Sequence, residues 1–165
     1  MKKCAYLVIK PTIGASSRDQ FVLTEPLPPR LLTELQRRYD SRSFFVQPFL
    51  ANVQTDGEYS LFFLGGEYSH AILKTPEMGD FRSQEEHGAE IKSVTSSPEL
   101  IAAAWEILEL VQPQPVYARV DMVRDDNGVF RLMELELIEP SLYLRTDPES
   151  CGRFARAFDQ AVIAR

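Results

Sequence analysis

Apolar positions change their period several times along the chain, and each change predicts an element. Ala5 to Lys10 is a short apolar run ending on a lysine, which predicts a strand, and Pro11 to Asp19, with Gly14, Ser16 and Ser17, reads as a loop. Phe21 to Leu23 is a second short strand. Pro28 and Pro29 open an amphipathic helix through about Tyr39, because proline is tolerated in a first helical turn. Ser43 to Leu50 returns to strand character. Glu58 to Leu64 and Glu67 to Lys74 flank Gly65-Gly66, the pattern of a β-hairpin. Thr75 to Thr95 is a long polar stretch almost without periodicity, and such loops in compact domains are often functional. Ser97-Pro98-Glu99 combines a capping hydroxyl, an N1 proline and an acid at the positive end of the dipole, so a helix starts there and runs to about Val111. Pro115 to Arg124 and Val129 to Ile138 are strands around Asp125-Asp126-Asn127-Gly128, and Asp147-Pro148-Glu149 opens a last helix reaching the C-terminus. Hairpins outnumber βαβ units and no internal repeat is present, so the fold class is α+β.

The strands around Asn127-Gly128 carry the strongest chemistry. Side chains alternate faces along a strand. Arg119 and Asp121 therefore share one face of the first strand, and Glu134 and Glu136 share one face of the second. Asn-Gly favours a two-residue type I′ turn. Such a turn pairs Asp126 with Val129, and counting outward sets Asp121 opposite Glu134 and Arg119 opposite Glu136; a four-residue loop would shift the pairing by two and keep all four on the same face. Opposed like charges on a sheet are destabilising. Asp121, Glu134 and Glu136 gathered on one side fit a divalent cation, and hard oxygen donors of this kind suit Mg²⁺. A solvated sheet face with Arg119 pairing Glu136 is the plainer alternative.

Composition bounds the rest. With 165 residues and 44% hydrophobic positions, the chain fits one domain or two small lobes with a sizeable core. A net charge of −6 argues against a general nucleic-acid binder, which carries a basic stripe. Cys4 and Cys151 are isolated, so reduced thiols and a cytoplasmic setting are expected. No apolar run approaches the roughly 18 residues of a membrane span, and no signal-peptide core precedes the first strand. Lys10 precedes a loop whose glycine and serines let backbone N–H groups approach an anion, but the spacing is not that of a Walker A loop. Lys74 ends the first hairpin similarly, ahead of a loop carrying Arg82, Glu85, Glu86 and His87. His70 reads as a structural or supporting residue, and His87 as an ordinary loop histidine. No Ser-His-Asp or Cys-His arrangement is evident.

Taken in order, these segments resemble the ATP-grasp superfamily of carboxylate–amine ligases, most closely its bacterial glutathione-synthetase-like branch, which also takes in a cycloserine-forming cyclo-ligase. The resemblance runs from Leu7 to about Leu144. It implies an ATP-grasp fold of mostly antiparallel sheet with flanking helices, in a smaller lobe over 1–49 and a larger one over 50–165. It implies ATP and Mg²⁺ as cofactors, with Mn²⁺ as a substitute ion. Lys10 and Lys74 would meet phosphates, Ser16 and Ser17 would belong to a phosphate lid, and the backbone of Gln47-Pro48-Phe49-Leu50 would meet adenine. Glu58 would bind the ribose, while Asp121, Glu134 and Glu136 would ligate the metal. Arg119 would stabilise charge on the acyl phosphate, and Arg82 is a second catalytic candidate. Relatives commonly have asparagine where Glu136 stands, and Ser141 falls in a substrate-contacting turn. Implied partners are small-molecule carboxylate and amine substrates, neither nucleic acid nor membrane, with a homodimer compatible. The first strand begins a few residues after Met1, where the family has a further N-terminal domain, so a fragment or a reduced relative is expected. A non-catalytic nucleotide-binding module is the alternative function, and a metal-dependent phosphohydrolase using the same acids is another.

Overall fold

The computed structural model describes residues 6–14, 18–77, 80 and 82–163, and the expected lid serines Ser16 and Ser17 lie outside them. Two compact units divide the chain, Met1–Leu50 and Ala51–Arg165. In the first, β1 (Leu7–Pro11) is the centre of a three-stranded antiparallel sheet, between β2 (Phe21–Leu23) and β3 (Phe44–Pro48). Helix α1 (Pro29–Tyr39) starts at its proline as expected, and its Leu35 and Tyr39 pack with Ile9 to form a small core.

The second unit begins with the four-residue helix α2 (Asn52–Thr55) and contains a five-stranded antiparallel sheet. Its strands are β4 (Glu58–Leu64), β5 (Glu67–Thr75), β6 (Glu90–Val94), β7 (Tyr117–Arg124) and β8 (Phe130–Glu136), in the spatial order β6-β5-β4-β7-β8. Helix α3 (Pro98–Glu109) starts at Ser97, whose hydroxyl accepts from the Leu100 N–H. Helix α4 (Ser150–Ile163) follows Asp147, whose carboxylate accepts the N–H groups of Glu149 and Ser150 at 2.8 and 3.1 Å. Leu61, Phe63, Ala71, Ala118, Val120 and Met122 line one sheet face and pack against Leu100, Ala104 and Leu108 of α3. Each Å² of apolar area removed from water here contributes about 25 cal/mol to the stability of the unit.

Two local expectations need correction, and one short helix, α2, was not expected. The polar stretch Thr75 to Thr95 is not uniformly loop: it holds the strand β6 and a 3₁₀ turn at Glu85–His87. β6 is an edge strand carrying exposed Glu90 and Lys92, so its pairing with β5, not an apolar pattern, defines it. α2 is too short to leave a periodic signal. The β7–β8 connection is also not a two-residue turn. Gly128 lies at φ 79° and donates to the Asp125 carbonyl at 2.9 Å, while Asp125 Oδ1 accepts from the N–H groups of Asn127 and Val129. Arg124 consequently pairs with Phe130. The Asp125 carboxylate stabilises this wider turn, a local option open to Asp and Asn. At Gly65-Gly66, by contrast, φ angles of 63° and 79° close the expected two-residue hairpin, with Leu64 opposite Glu67.

Candidate active site on the charged face of the sheet

The face opposite α3 is built by the same alternation. Lys74 of β5, Glu58, Ser60 and Phe62 of β4, Arg119 and Asp121 of β7, and Glu134 and Glu136 of β8 share it. The ladders set Lys74 opposite Glu58, Ser60 opposite Asp121 and Phe62 opposite both His70 and Arg119. Asp121 faces Glu134 and Arg119 faces Glu136, the pairs expected from the sequence. They arise differently from the expectation. The wider turn displaces β8 by one residue, and a bulge at Met133 restores the register beyond it. A second bulge, at Ser69, brings Lys74 rather than Leu73 opposite Glu58. A one-residue slip sends side chains to the wrong face, so both bulges set which groups meet.

Lys74 Nζ lies 2.6 Å from Glu58 Oε1 and donates to Asp121 Oδ2 at 3.0 Å. Arg119 Nε donates to both Asp121 oxygens at 3.0 and 3.1 Å, and its NH2 group reaches Asp121 Oδ2 at 2.9 Å and Glu136 Oε1 at 2.5 Å. Glu134 Oε2 is 3.7 Å from the same guanidinium. Asp121 is only 1% exposed and Lys74 5%. Burial alone would lower Lys74, but the Asp121 and Glu58 carboxylates overrule it and hold the ammonium above its ordinary value. Burial would raise Asp121, but Lys74 and Arg119 bring it below the usual carboxylate range. Burial raises Glu58 despite Lys74, with Asp121 adding to the rise. Burial, then Glu136 and Asp121, raise Glu134.

Four carboxylates thus share two cations. The acids do not converge on a common point: among the described residues no group of three His, Cys, Asp or Glu side chains is arranged to hold a metal ion. The Arg119 guanidinium stands where the three acids were expected to meet. The Arg119–Glu136 pair of the plainer reading is present, but on a largely buried face rather than a solvated one. Glu134 and Glu136 keep the more accessible oxygens, with side chains 49% and 29% exposed, against 1% for Asp121. An excess of hard, partly open oxygen donors fits a divalent cation at those two residues, with Asp121 committed to Lys74 and Arg119.

Arg82 is held by Asp80 through contacts of 2.6 to 3.0 Å, and among the described residues no hydrogen bond or ion pair ties it to the acids. In the first unit, Lys10 lies in β1 with Nζ 5.2 Å from the Phe45 ring centroid. Gln47 and Pro48 pair with Val8 and Leu7, and the Phe49 N–H donates to the Tyr6 carbonyl at 2.9 Å; Leu50 follows the strand. Ser60, Phe62 and Tyr143 were not foreseen on the charged face. The spacing of Glu58, Ser60 and Phe62 by two is the signal for the first pair, whereas Tyr143 reaches Phe62 only through the fold, with ring centroids 6.2 Å apart.

No family model matches the chain. It is 33% identical to the cycloserine biosynthesis protein DcsG of Streptomyces lavendulae, over 91% of this chain and 53% of that protein. The crystal structure of D-cycloserine synthetase DcsG superposes with a TM-score of 0.83 at 28% identity, covering 96% of this chain and 56% of that one. D-alanine–D-alanine ligase from Bacillus anthracis superposes with a TM-score of 0.67 at 19% identity, over 95% and 53%. The ATP-grasp ligase PsnB, complexed with a precursor variant, Mg and ADP, gives 0.62 at 17%, over 92% and 47%. The chain therefore spans about half the length of the proteins it matches, and over that span it has the fold of the ATP-grasp ligases.

Proposed function

We propose that this chain is the nucleotide- and magnesium-binding part of an ATP-dependent ligase that joins a carboxylate to an amine or another nucleophile through an acyl phosphate. The observation that carries the reading is the charged sheet face, where Lys74 and Arg119 are buried among Glu58, Asp121, Glu134 and Glu136. A purely structural domain has no need to keep acids opposed, and likeness to the cycloserine-forming enzyme supports the same chemistry. Within the superfamily, the order of motifs favours the glutathione-synthetase-like branch.

Phosphoryl transfer is chiefly a matter of bringing anions together and holding them in line. Lys74 supplies a permanent cation for phosphate, and Arg119 one for charge developing on the transferred group. Glu58 is assigned to the ribose, and Glu134 and Glu136 to Mg²⁺, whose chemistry is to neutralise phosphate oxygens. Lys10 and the Gln47–Leu50 backbone keep the phosphate and adenine roles implied by the resemblance. A cytoplasmic setting suits an enzyme fed by ATP.

ADP release tests the reading, with Mg·ATP, a panel of carboxylates that includes D-alanine, and hydroxylamine to trap the acyl phosphate as a hydroxamate. The expected outcome is carboxylate-dependent ADP release. Arg119→Ala should lower turnover far more than ATP affinity. Adenine-selective binding without ADP release across the panel would favour a non-catalytic module instead.

A further inference from the structure

His70 and Tyr143 are used by nothing above, yet both are held more firmly than their positions require. His70 is 4% exposed and stacks on Phe62, with ring centroids 4.4 Å apart and planes 18° from parallel. Its Nε2 lies 3.1 Å from the Leu142 carbonyl, which only accepts, so this nitrogen carries the proton. Its Nδ1, 2.9 Å from Ser69 Oγ, then accepts from that hydroxyl, which in turn accepts from Arg153 Nε at 2.8 Å. The chain of donors fixes one neutral tautomer, and the bulge at Ser69 supplies the hydroxyl.

The next residue along from Leu142 is Tyr143, at φ 45° and ψ 37°. A bulky residue in the left-handed region is an outlier that persists only where its surroundings impose it, and such outliers cluster at functional sites. Here the surroundings are explicit. The Thr146 N–H and hydroxyl donate to the Tyr143 carbonyl at 2.9 and 2.8 Å, the Arg145 guanidinium lies 4.8 Å from its ring centroid, and the ring tilts against Phe62. Burial raises the Tyr143 hydroxyl above its ordinary value, against the pull of Lys74 and Arg119. Phe62, which touches both rings, sits opposite Arg119 in the ladder.

We infer that His70 is a positioning residue for the ligase reaction: by gripping the Leu142 carbonyl it holds Tyr143 against Phe62, where the phenol forms a wall of the carboxylate-substrate site. This rests on the ligase reading. A wall residue governs substrate binding without touching nucleotide, and a group that acts only through it has no effect once it is gone.

The test is a double-mutant cycle on the full chain. His70→Phe keeps a ring against Phe62 but loses the donor, His70→Gln keeps a donor, and Tyr143→Asn removes the ring while tolerating the left-handed backbone. The readouts are the KM for D-alanine in hydroxylamine-trapped ADP release, calorimetric affinity for Mg·AMPPNP, and the imidazole ¹⁵N shifts of His70. Protonation at Nε2 is expected in the unsubstituted protein. Tyr143→Asn and His70→Phe should each raise KM about ten-fold, the worth of one good hydrogen bond, with nucleotide affinity within about two-fold. His70→Gln should recover most of that loss, and the double variant should be no worse than either single one. Additive effects, an unchanged KM, or equal loss of KM and nucleotide affinity would overturn the assignment alone. No ADP release with D-alanine from the unsubstituted chain would overturn the ligase reading for that substrate and this inference with it.

Discussion

The two faces of the five-stranded sheet come from the same strands and opposite solutions. Against α3, Leu61, Phe63, Val120 and Met122 exclude water with no polar atom to satisfy. On the other side, Ser60 and Phe62 of the same strand frame Lys74, Arg119 and Asp121, which are nearly as inaccessible. The apolar face needs only volume and shape. The charged face depends on every partner being present, because a buried charge that loses its counter-ion costs far more than the pair contributes. An apolar face is therefore tolerant and inert, whereas a charged face is brittle and chemically useful.

Lys74→Met should break this comparison most severely. It leaves Glu58 and Asp121 buried without their shared cation, and urea unfolding should show a loss of about 3–5 kcal/mol. On the opposite face, Leu61→Ala should cost about 2–5 kcal/mol as a cavity. Calorimetry on the folded Leu61→Ala protein should still find Mg·ATP bound at unchanged affinity. Glu134→Ala should leave stability within about 0.5 kcal/mol, as the removed acid is half-exposed and repelled by its neighbours. The same variant should lose the metal dependence of ATP binding, and unchanged affinity and metal dependence in a titration would remove Glu134 from the metal site. The smallest effect is that of pH. Burial holds the His70 imidazole below its ordinary value, against the Leu142 carbonyl and Asp147, which favour its protonation. The unfolded chain therefore takes up the proton first on acidification. This contribution is complete above about pH 6.5 and declines as pH falls through that value towards the folded-state one. Thermal unfolding should show that slope in the unsubstituted protein and a flatter one in His70→Gln.

Much of this was legible in one dimension. The hairpins, the helices opened by Pro29 and Pro98, and the shared face of Arg119, Asp121, Glu134 and Glu136 all follow from period and from local capping chemistry. Less legible were β6, which is a strand only because β5 lies beside it, and α2, which is too short for any period. The connection after Arg124 was misread because Asn-Gly is a strong turn signal, and the capping reach of Asp125 competes with it. The three acids share a face as the alternation requires, and Arg119, which alternates onto the same face, lies within 2.5 to 3.7 Å of all of them.

Alternation along each strand determined by itself which side chains share a face, since the pleat leaves no other choice. Which of them touch was decided only by pairing between strands. Bulges at Ser69 and Met133 shift the ladders by one residue each and thereby set Lys74 on Glu58 and Asp121 on Glu134. A bulge answers to the turn it must reconcile with the rest of the sheet, so no short stretch of sequence announces it. For the same reason Tyr143, remote in sequence from Phe62 and His70, joins them only once the chain has folded back.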